Sequence, residues 1–270
     1  MSAAAPPPEP TRLHPPGADI IGIRAANPGP LSLSGTNSWI VGRDPAWLVD
    51  PGPRLDDHLD ALDAELAQRG GLGGIAVTHD HIDHVEGLGA VRERHPGAPV
   101  AGARGEIDIE LRDGSRVGPL EALHLPGHAP DHYVFVAGRA AMTGDAVLGE
   151  GSVFVSPAPN ALRGYLDGLR RLRALDLAVL CPGHGPLVLD PAAKLEQYLS
   201  HRLERERRLV EALEAGRRSV DELLDAAWDD APAELRPLAA VTLAAHLDKL
   251  AEEDRLPGGV ERPHVPPGLG

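Results

Sequence analysis

Short apolar runs separated by Gly, Pro and Asn mark the first part of the chain. They occupy residues 19–23, 39–41 and 46–49, which predicts three strands joined by turns. Over residues 55–68, leucines recur at helical spacing, which predicts a helix. The glycines that follow end this helix before a strand over residues 75–77. A sheet with a helix between its strands therefore begins the folded part of the chain.

The middle of the chain continues this alternation of strands and helices. A helix is predicted over residues 162–172. The remaining strand-like runs are residues 98–101, 121–125, 133–136, 140–142 and 177–180. Strands followed by a helix, repeated twice with short loops, predict a layered sandwich of the α/β or α+β class.

The pattern changes near Pro191, after which almost every apolar repeat is helical. Three helices are predicted, over residues 192–215, 220–228 and 238–250, and together they resemble a winged helix. The expected organisation is a disordered tail (1–16), a main domain (17–191), a winged-helix-like helical domain (192–258) and a flexible tail (259–270).

Composition and charge argue against a membrane protein, a secreted protein and a general nucleic-acid binder. No apolar stretch approaches the roughly 20 residues of a membrane span, and the N-terminus lacks the features of a signal peptide. The single cysteine, Cys181, excludes an internal disulfide, so a cytoplasmic location is expected. The formal net charge of −14 disfavours broad adhesion to nucleic acid.

Candidate metal ligands crowd the end of the predicted strand over residues 75–77. They are His79, His81, Asp83 and His84, and imidazole with carboxylate is the ligand set that zinc prefers at hydrolytic sites. In an extended segment His79 and His81 point the same way and can reach one ion, while the other two lie past a bend and can face a second. The alternatives are a solvated loop, or a helix start capped by Asp83 with exposed histidines.

Three further ligand-type residues follow glycines at predicted strand ends. They are His128, Asp145 and His184, and the preceding glycine lets each approach a crowded centre. Taken alone, His128 could be a surface histidine and Asp145 a turn residue. With the first cluster they complete a set of seven candidate ligands.

The run T-H-x-H-x-D-H, followed by G-H, G-D and P-G-H-G, resembles the metallo-β-lactamase superfamily. The resemblance implies an α+β fold, an αββα sandwich that binds two zinc ions, followed here by the winged-helix-like domain. It assigns His79, His81 and His128 to the first ion, Asp83, His84 and His184 to the second, and Asp145 as a bridge. Iron or manganese also suits such ligands.

The ends of the chain resemble the lactamase-beta-like protein two group more narrowly. The resemblance rests on N-P-G-P at residues 27–30, G-T-N-S-W at residues 35–39, and segments 201–206 and 245–250. It implies a ribonuclease acting on single-stranded RNA, although related bacterial and fungal proteins are thioesterases. The C-terminal helices are acidic, and residues 238–250 are mainly Ala, Leu and Val, which argues against binding of duplex DNA. Packing against the catalytic domain, a lid or a homodimer contact fits these helices better.

The resemblance also suggests roles beside the metals. Two zinc ions about 3.5–4 Å apart can share a hydroxide for hydrolysis, with Asp83 as ligand and proton shuttle. His132 could protonate the leaving group, and a plain loop role is equally open. Asp50 is expected to hydrogen-bond a zinc-bound histidine or to form an Asx turn before Pro51. Thr78 is expected to support the ligands without chemistry of its own.

Three functions remain open at this point. The first is a zinc-dependent hydrolase that cuts single-stranded RNA, and the second is a thioesterase for acyl-carrier or glutathione thioesters, similar to glyoxalase II. The third, from a different class, is a winged-helix regulator that binds nucleic acid and retains a structural metal.

Overall fold

A computed structural model describes residues 10–266, which form two compact units. The first unit comprises residues 10–124, 131–151 and 176–191. The second comprises residues 125–130, 152–175 and 192–266. The predicted boundary between a main domain and a helical domain at residues 191–192 stays a prediction, and each unit is described by itself below.

The first unit contains a seven-stranded sheet. Its strands, in spatial order, are β1 (Thr11–Leu13), β2 (Ile20–Arg24), β3 (Asn37–Val41), β4 (Ala46–Val49), β5 (Leu72–Ala76), β6 (Val100–Gly102) and β7 (Ile109–Glu110). The pairs from β1 to β4 are antiparallel, and those from β4 to β7 are parallel. The carboxyl ends of β4 and β5 therefore meet at one edge of the sheet.

A five-stranded sheet completes the strands of the first unit. It runs in the spatial order β12 (Val179–Pro182), β11 (Ala140–Gly144), β10 (Tyr133–Ala137), β9 (Leu120–His124) and β8 (Arg116–Val117). The β11 and β12 strands are parallel, and the other pairs are antiparallel. Both parallel strands thus deliver their following loops, which carry Asp145 and His184, to the same edge.

Two apolar cores hold these layers together. One core packs the large side chains of the first sheet, such as Trp39 and Trp47, against Phe135 and Met142 of the second. The other core packs the opposite face of the first sheet against α1 (Asp56–Gln68) and α3 (Leu88–Arg94). The layers of helix, sheet and sheet agree with the predicted α+β sandwich.

The second unit is helical over most of its length. Its helices are α4 (Ala161–Ala174), α5 (Pro191–Glu214), α6 (Val220–Ala227) and α7 (Arg236–Glu252), with a 3₁₀ turn at Ala233–Leu235. A core of aliphatic side chains from α5, α6 and α7 surrounds Trp228. The three predicted C-terminal helices are present, each within two residues of its expected bounds.

Short elements were absent from the sequence prediction. They are β1, β7, β8, α3 and the single turn α2 (Ile82–Val85). The predicted disordered tail is wrong for Thr11–Leu13, because these residues pair with β2 as an edge strand. The rest of that tail up to residue 9, and residues 267–270 of the predicted C-terminal tail, lie outside the described residues.

Among residues 10–266, no helix combines the length and the apolar character needed to cross a lipid bilayer. The expected cytoplasmic location and the homodimer contact stay predictions.

A capping box at the start of α6 gives a test of the helical unit. The Ser219 hydroxyl accepts a hydrogen bond from the Glu222 backbone N–H, and the Glu222 carboxylate accepts one from the Ser219 N–H. We expect Ser219→Ala to lower the free energy of unfolding by about 1 kcal/mol, measured by urea titration with circular dichroism. The control is Ser200→Ala on the exposed face of α5, which should change that free energy by less than about 0.5 kcal/mol. Equal effects of the two variants would contradict the capping role.

Candidate metal centre

Four strand ends of the first unit carry the candidate ligands and their supports. Asp50 follows β4, His79 and the turn α2 follow β5, Asp145 follows β11, and His184 follows β12. Because parallel neighbours end at the same edge, the sheet topology brings together side chains that are far apart in sequence. Six of the seven predicted ligands lie in this unit.

Asp83, His84 and His184 form one compact group of possible ligands. The Nε2 atom of His184 lies 3.1 Å from Asp83 Oδ2. It also lies 3.3 Å from His84 Nε2. Both histidines are buried, whereas the Asp83 side chain is about one-third exposed. The group therefore joins two buried imidazoles to a carboxylate that solvent can reach.

A second group contains His79, His84 and Asp145, with ligand atoms all within 4.8 Å of one another. The two oxygens of Asp145 also lie 3.4 Å from His84 Nε2 and 3.4 Å from His184 Nε2. Asp145 thus belongs to one group and contacts two members of the other. Its assignment as a bridge between two ions stays a prediction. The position of Asp145 beside both groups is consistent with it.

The first predicted ion site contains His79, His81 and His128. The rings of His79 and His81 approach with centroids 4.4 Å apart, and His81 is partly exposed. His128 belongs to the second unit, where its ring lies 4.6 Å from that of Phe154 and its carbonyl accepts a hydrogen bond from the Ser156 hydroxyl. Its role as third ligand of this ion stays a prediction.

The burial of the cluster decides between the alternatives left open by the sequence. His79 is 1% exposed and His84 is 0% exposed, so neither belongs to a solvated loop. A helix does begin at Ile82, with His81 rather than Asp83 as the capping residue. Asp80 and Ile82, between the ligands, are exposed as expected.

Asp50 holds the cluster through hydrogen bonds to Thr78 and His84. Its carboxylate accepts hydrogen bonds from the Thr78 backbone N–H and hydroxyl, both at 2.7 Å. The His84 ring Nδ1 lies 2.9 Å from the same carboxylate. The expected contact between Asp50 and a candidate ligand histidine is confirmed, as is the supporting hydrogen bond from Thr78. Because the Asp50 carboxylate can only accept, its contact with His84 fixes a proton on His84 Nδ1. The Nε2 atom of His84 then faces Asp83 and His184.

Electrostatics in the cluster favour positive charge. Burial lowers the pKa of His184, but Asp145 and Asp83 outweigh burial and raise that pKa to about 9. Burial also lowers the pKa of His84, and its contacts with Asp145 and Asp50 raise it well above the usual range. Burial raises the pKa of Asp145, whereas His184 and His84 hold it well below its usual range. The carboxylates of Asp83 and Asp145, which face the two histidines, therefore attract a cation, either a proton or a metal ion.

His132 is fully buried, and its Nε2 accepts a hydrogen bond of 3.1 Å from the Asp145 backbone N–H. Its ring lies 4.9 Å from that of His79. The contact holds the loop that carries Asp145 and favours a positioning role. The predicted role of His132 as an acid for the leaving group stays a prediction.

Sequence reasoning missed several residues that hold this cluster. Asp131 accepts a hydrogen bond of 3.1 Å from the Asp80 backbone N–H, which anchors the segment between His79 and His81. Thr36 and Asn37 contact ligand-bearing segments from the start of β3. The G-T-N pattern was noted only as a resemblance, because nothing local in the sequence indicates contacts across almost 150 residues.

The chemistry of the donors fits metal ions. Imidazole nitrogens and carboxylates are the ligands that zinc and other first-row transition metals prefer. The Nε2 atoms of His84 and His184 face each other at 3.3 Å, and a hydrogen bond between them requires a proton on one of the two. A cation between them satisfies both nitrogens. The cluster of histidines and aspartates is compatible with a dinuclear metal site.

Comparison with known families identifies both parts of the chain. The metallo-beta-lactamase superfamily matches residues 31–106 and 102–184, which include every candidate ligand. The beta-lactamase associated winged helix domain matches residues 219–256. The predicted family and fold class are both confirmed.

Several known proteins are similar over most of their length. A beta-lactamase-like protein 2 homolog of Caenorhabditis elegans is 29% identical over 261 residues, covering 90% of this chain and 86% of that protein. An atrochrysone carboxyl ACP thioesterase of Emericella nidulans is 30% identical over 262 residues, covering 90% and 83%.

An atrochrysone carboxyl ACP thioesterase of Aspergillus chevalieri is 32% identical over 210 residues, covering 73% of this chain and 67% of that protein. Among solved structures, a beta-lactamase domain protein from Burkholderia ambifaria shares the fold with a TM-score of 0.72 at 18% identity, covering 92% of this chain and 91% of that one.

The family match spans more than half of the chain and includes the histidine and aspartate cluster, while the C-terminal helices match the winged helix associated with that family. The chain therefore belongs to the metallo-beta-lactamase superfamily of metal-dependent hydrolases.

Proposed function

We propose that this protein is a zinc-dependent thioesterase with two metal ions in its active site. The observation that carries the proposal is the likeness to two fungal proteins described as atrochrysone carboxyl ACP thioesterases, at 30% and 32% identity. Hydrolysis adds water across the acyl carbon–sulfur bond and yields a carboxylic acid and a thiol.

The proposed metal ligands follow the order of the family pattern. His79, His81 and His128 hold the first ion, Asp83, His84 and His184 hold the second, and Asp145 lies between them. When bound, two such ions would lower the pKa of a water molecule and would polarise the carbonyl oxygen of the scissile bond.

Asp83 is the proposed proton shuttle. Its side chain is about one-third exposed, in contrast to the buried histidines beside it, so its carboxylate can exchange protons with substrate and solvent. In this role an oxygen of Asp83 takes a proton from the attacking water and delivers it to the sulfur of the leaving thiolate. His132 is assigned the task of holding Asp145 through its contact with the backbone N–H.

Charge supports a thioester over RNA. The chain has a formal net charge of −14. Between Glu196 and Leu256, fifteen acidic residues against nine basic ones give a difference of −6. A protein that binds the phosphates of RNA without regard to sequence needs a basic surface, and this composition does not supply one.

The arginines of α5 were the best candidates for contact with an RNA backbone. Arg207 pairs with Glu204 and Glu211. Arg208 pairs with Asp229 at 2.7 Å. The charges of this helix are thus compensated within the helical unit, which supports the solvated-helix interpretation.

The helical unit also gives little support to a nucleic-acid-binding regulator. Most of the central residues of α7, from Ala239 to Leu250, are buried. Its one lysine, Lys249, forms ion pairs with Glu206 and Glu253 at 2.9 and 2.8 Å. A helix that reads DNA instead exposes basic or amide side chains.

A ribonuclease acting on single-stranded RNA is the second candidate. It is favoured by the likeness to a beta-lactamase-like protein 2 homolog over 90% of the chain, since the resemblance to that group implies such activity. The two substrates share one catalytic chemistry and are separated only by experiment.

We expect the zinc-loaded protein to release free thiol from an acyl thioester of N-acetylcysteamine and to leave labelled single-stranded RNA intact. The physical reason is the acidic surface, which repels a polyanion. Thiol release is followed with a chromogenic thiol reagent, and RNA by gel electrophoresis.

The control for this assay is the double variant Asp83→Ala, His84→Ala, which removes two proposed ligands of the second ion and should abolish thiol release. RNA cleavage that disappears in the double variant, without thioester cleavage, would overturn the thioesterase proposal and establish the ribonuclease. Thiol release that persists in the double variant would place the activity outside this site.

Metal removal separates an enzyme from a regulator with a structural metal. Both apolar cores of the first unit are built without metal ligands. We therefore expect chelation to abolish turnover while the far-ultraviolet circular dichroism spectrum is retained, with recovery when zinc is added back. Collapse of the spectrum on chelation would contradict this prediction and favour a structural metal.

A further inference from the structure

The segment Gly35, Thr36 and Asn37, at the start of β3, has no role in the proposed chemistry, yet it contacts two ligand-bearing segments. We propose that this segment positions Asp83 and His184, and thereby sets the affinity of the second metal ion. The proposal rests on the dinuclear centre of the proposed function and concerns only the second of its two ions.

Asn37 fixes the loop that carries His184. Its side-chain amide donates hydrogen bonds to the carbonyls of Pro182 and Gly185, both at 3.0 Å. Its backbone N–H donates to the Gly183 carbonyl at 2.7 Å. Asn37 is fully buried, so these bonds are not exchanged with water. Asn37 thus forms hydrogen bonds to the residues on both sides of His184.

Thr36 approaches Asp83 with a defined hydroxyl orientation. Its Oγ1 accepts a hydrogen bond of 2.9 Å from the Asn27 side-chain amide. The Thr36 backbone N–H in turn donates to Asn27 Oδ1 at 2.9 Å. Because the amide already donates to the hydroxyl oxygen, the hydroxyl hydrogen is left for Asp83 Oδ2, at 3.5 Å. This contact is long for a hydrogen bond and directs the carboxylate rather than binding it tightly.

Gly35 explains why the segment can come so close. Its φ is +125°, and a Cβ at this position would lie 2.0 Å from the Ala25 carbonyl oxygen. Only glycine fits this approach. The Gly35 carbonyl lies 3.4 Å from His184 Nδ1, on the ring side opposite the Nε2 that faces the ligand group.

Each ligand of the second ion therefore has its own partner. Asp50 holds His84 through its Nδ1, while the segment starting at Gly35 directs Asp83 and His184. Outer partners of this kind commonly change metal affinity by about 10- to 100-fold when they are removed. Among the hydrogen bonds of Thr36 and Asn37 given above, none involves His79 or His81, so the effect should be confined to the second ion.

The test is Thr36→Val, which keeps the side-chain shape and removes the hydroxyl. We expect its affinity for the second zinc ion to fall by about 10-fold, the lower end of that range because the contact with Asp83 is long, with the first ion unaffected and Thr36→Ser restoring most of the loss. Zinc stoichiometry and affinity are measured by competition with a chromophoric chelator, without substrate. The melting temperature of the metal-free protein is measured in parallel.

The matched control is Thr242→Val in the helical unit. The Thr242 hydroxyl is also buried, accepts a bond from the Val155 N–H and donates to the Leu238 carbonyl. This variant loses the same kind of group from a residue whose hydrogen bonds, to Val155 and Leu238, involve no proposed ligand of the second ion, and it should bind the second zinc ion as the wild type does. Asn37→Ala provides a second variant, expected to weaken the second site at least as much as Thr36→Val.

The outcomes separate the two proposals. If the wild type binds two zinc ions and Thr36→Val binds both with unchanged affinity, the positioning role is overturned while the dinuclear centre stands. If the wild type binds fewer than two zinc ions, the dinuclear centre itself fails. If Thr36→Val loses zinc only in proportion to a lower melting temperature of the metal-free protein, the role of Thr36 is structural and the proposal also fails.

Discussion

The arrangement of the candidate metal centre depends on one buried carboxylate, that of Asp50. It is 1% exposed, and a buried charge without partners carries a large desolvation cost. Three donors offset that cost: the N–H and hydroxyl of Thr78, and the ring of His84. These contacts tie the end of β4 to the segment after β5 and to the turn α2. Parallel pairing of the two strands brings the ends together, and the carboxylate then fixes how the histidine presents its other nitrogen.

The same balance of charges explains why the cluster of histidines and aspartates favours a cation. Asp83 and Asp145 face His84 and His184 at 3.1 to 3.7 Å in a largely buried cluster. With ionised carboxylates and neutral imidazoles the cluster is negative, so the protein must take up protons on the histidines or bind metal. The raised pKa values of both histidines express the first outcome. A metal ion competes with these protons, which makes metal affinity depend on how firmly the surrounding hydrogen bonds hold each ligand.

Much of this could be predicted from the sequence, because the signals are local. The apolar run before His79 indicated a strand, and seven ligand-type residues stood at predicted strand ends. The two-residue strands β7 and β8 and the single turn α2 are too short for any period to show, and their pairing depends on neighbours distant in sequence. The contacts of Asn37 with the loop around His184 join residues 145 and 148 positions apart. Such a role becomes visible only when the two sheets are folded.

The charges of the helical unit bear on how substrate is chosen. Arg205 pairs with Asp230, and Glu206 pairs with Lys249 and Arg255. Arg202 is buried and donates to the Val153 carbonyl within the same unit. Cations committed to internal partners cannot also neutralise the phosphates of a nucleic acid without breaking those pairs. These side chains would therefore contribute little of the electrostatic attraction on which non-specific RNA binding depends. A thioester makes no such demand, because its reacting group is uncharged and needs only the polarising effect of the proposed metal ions.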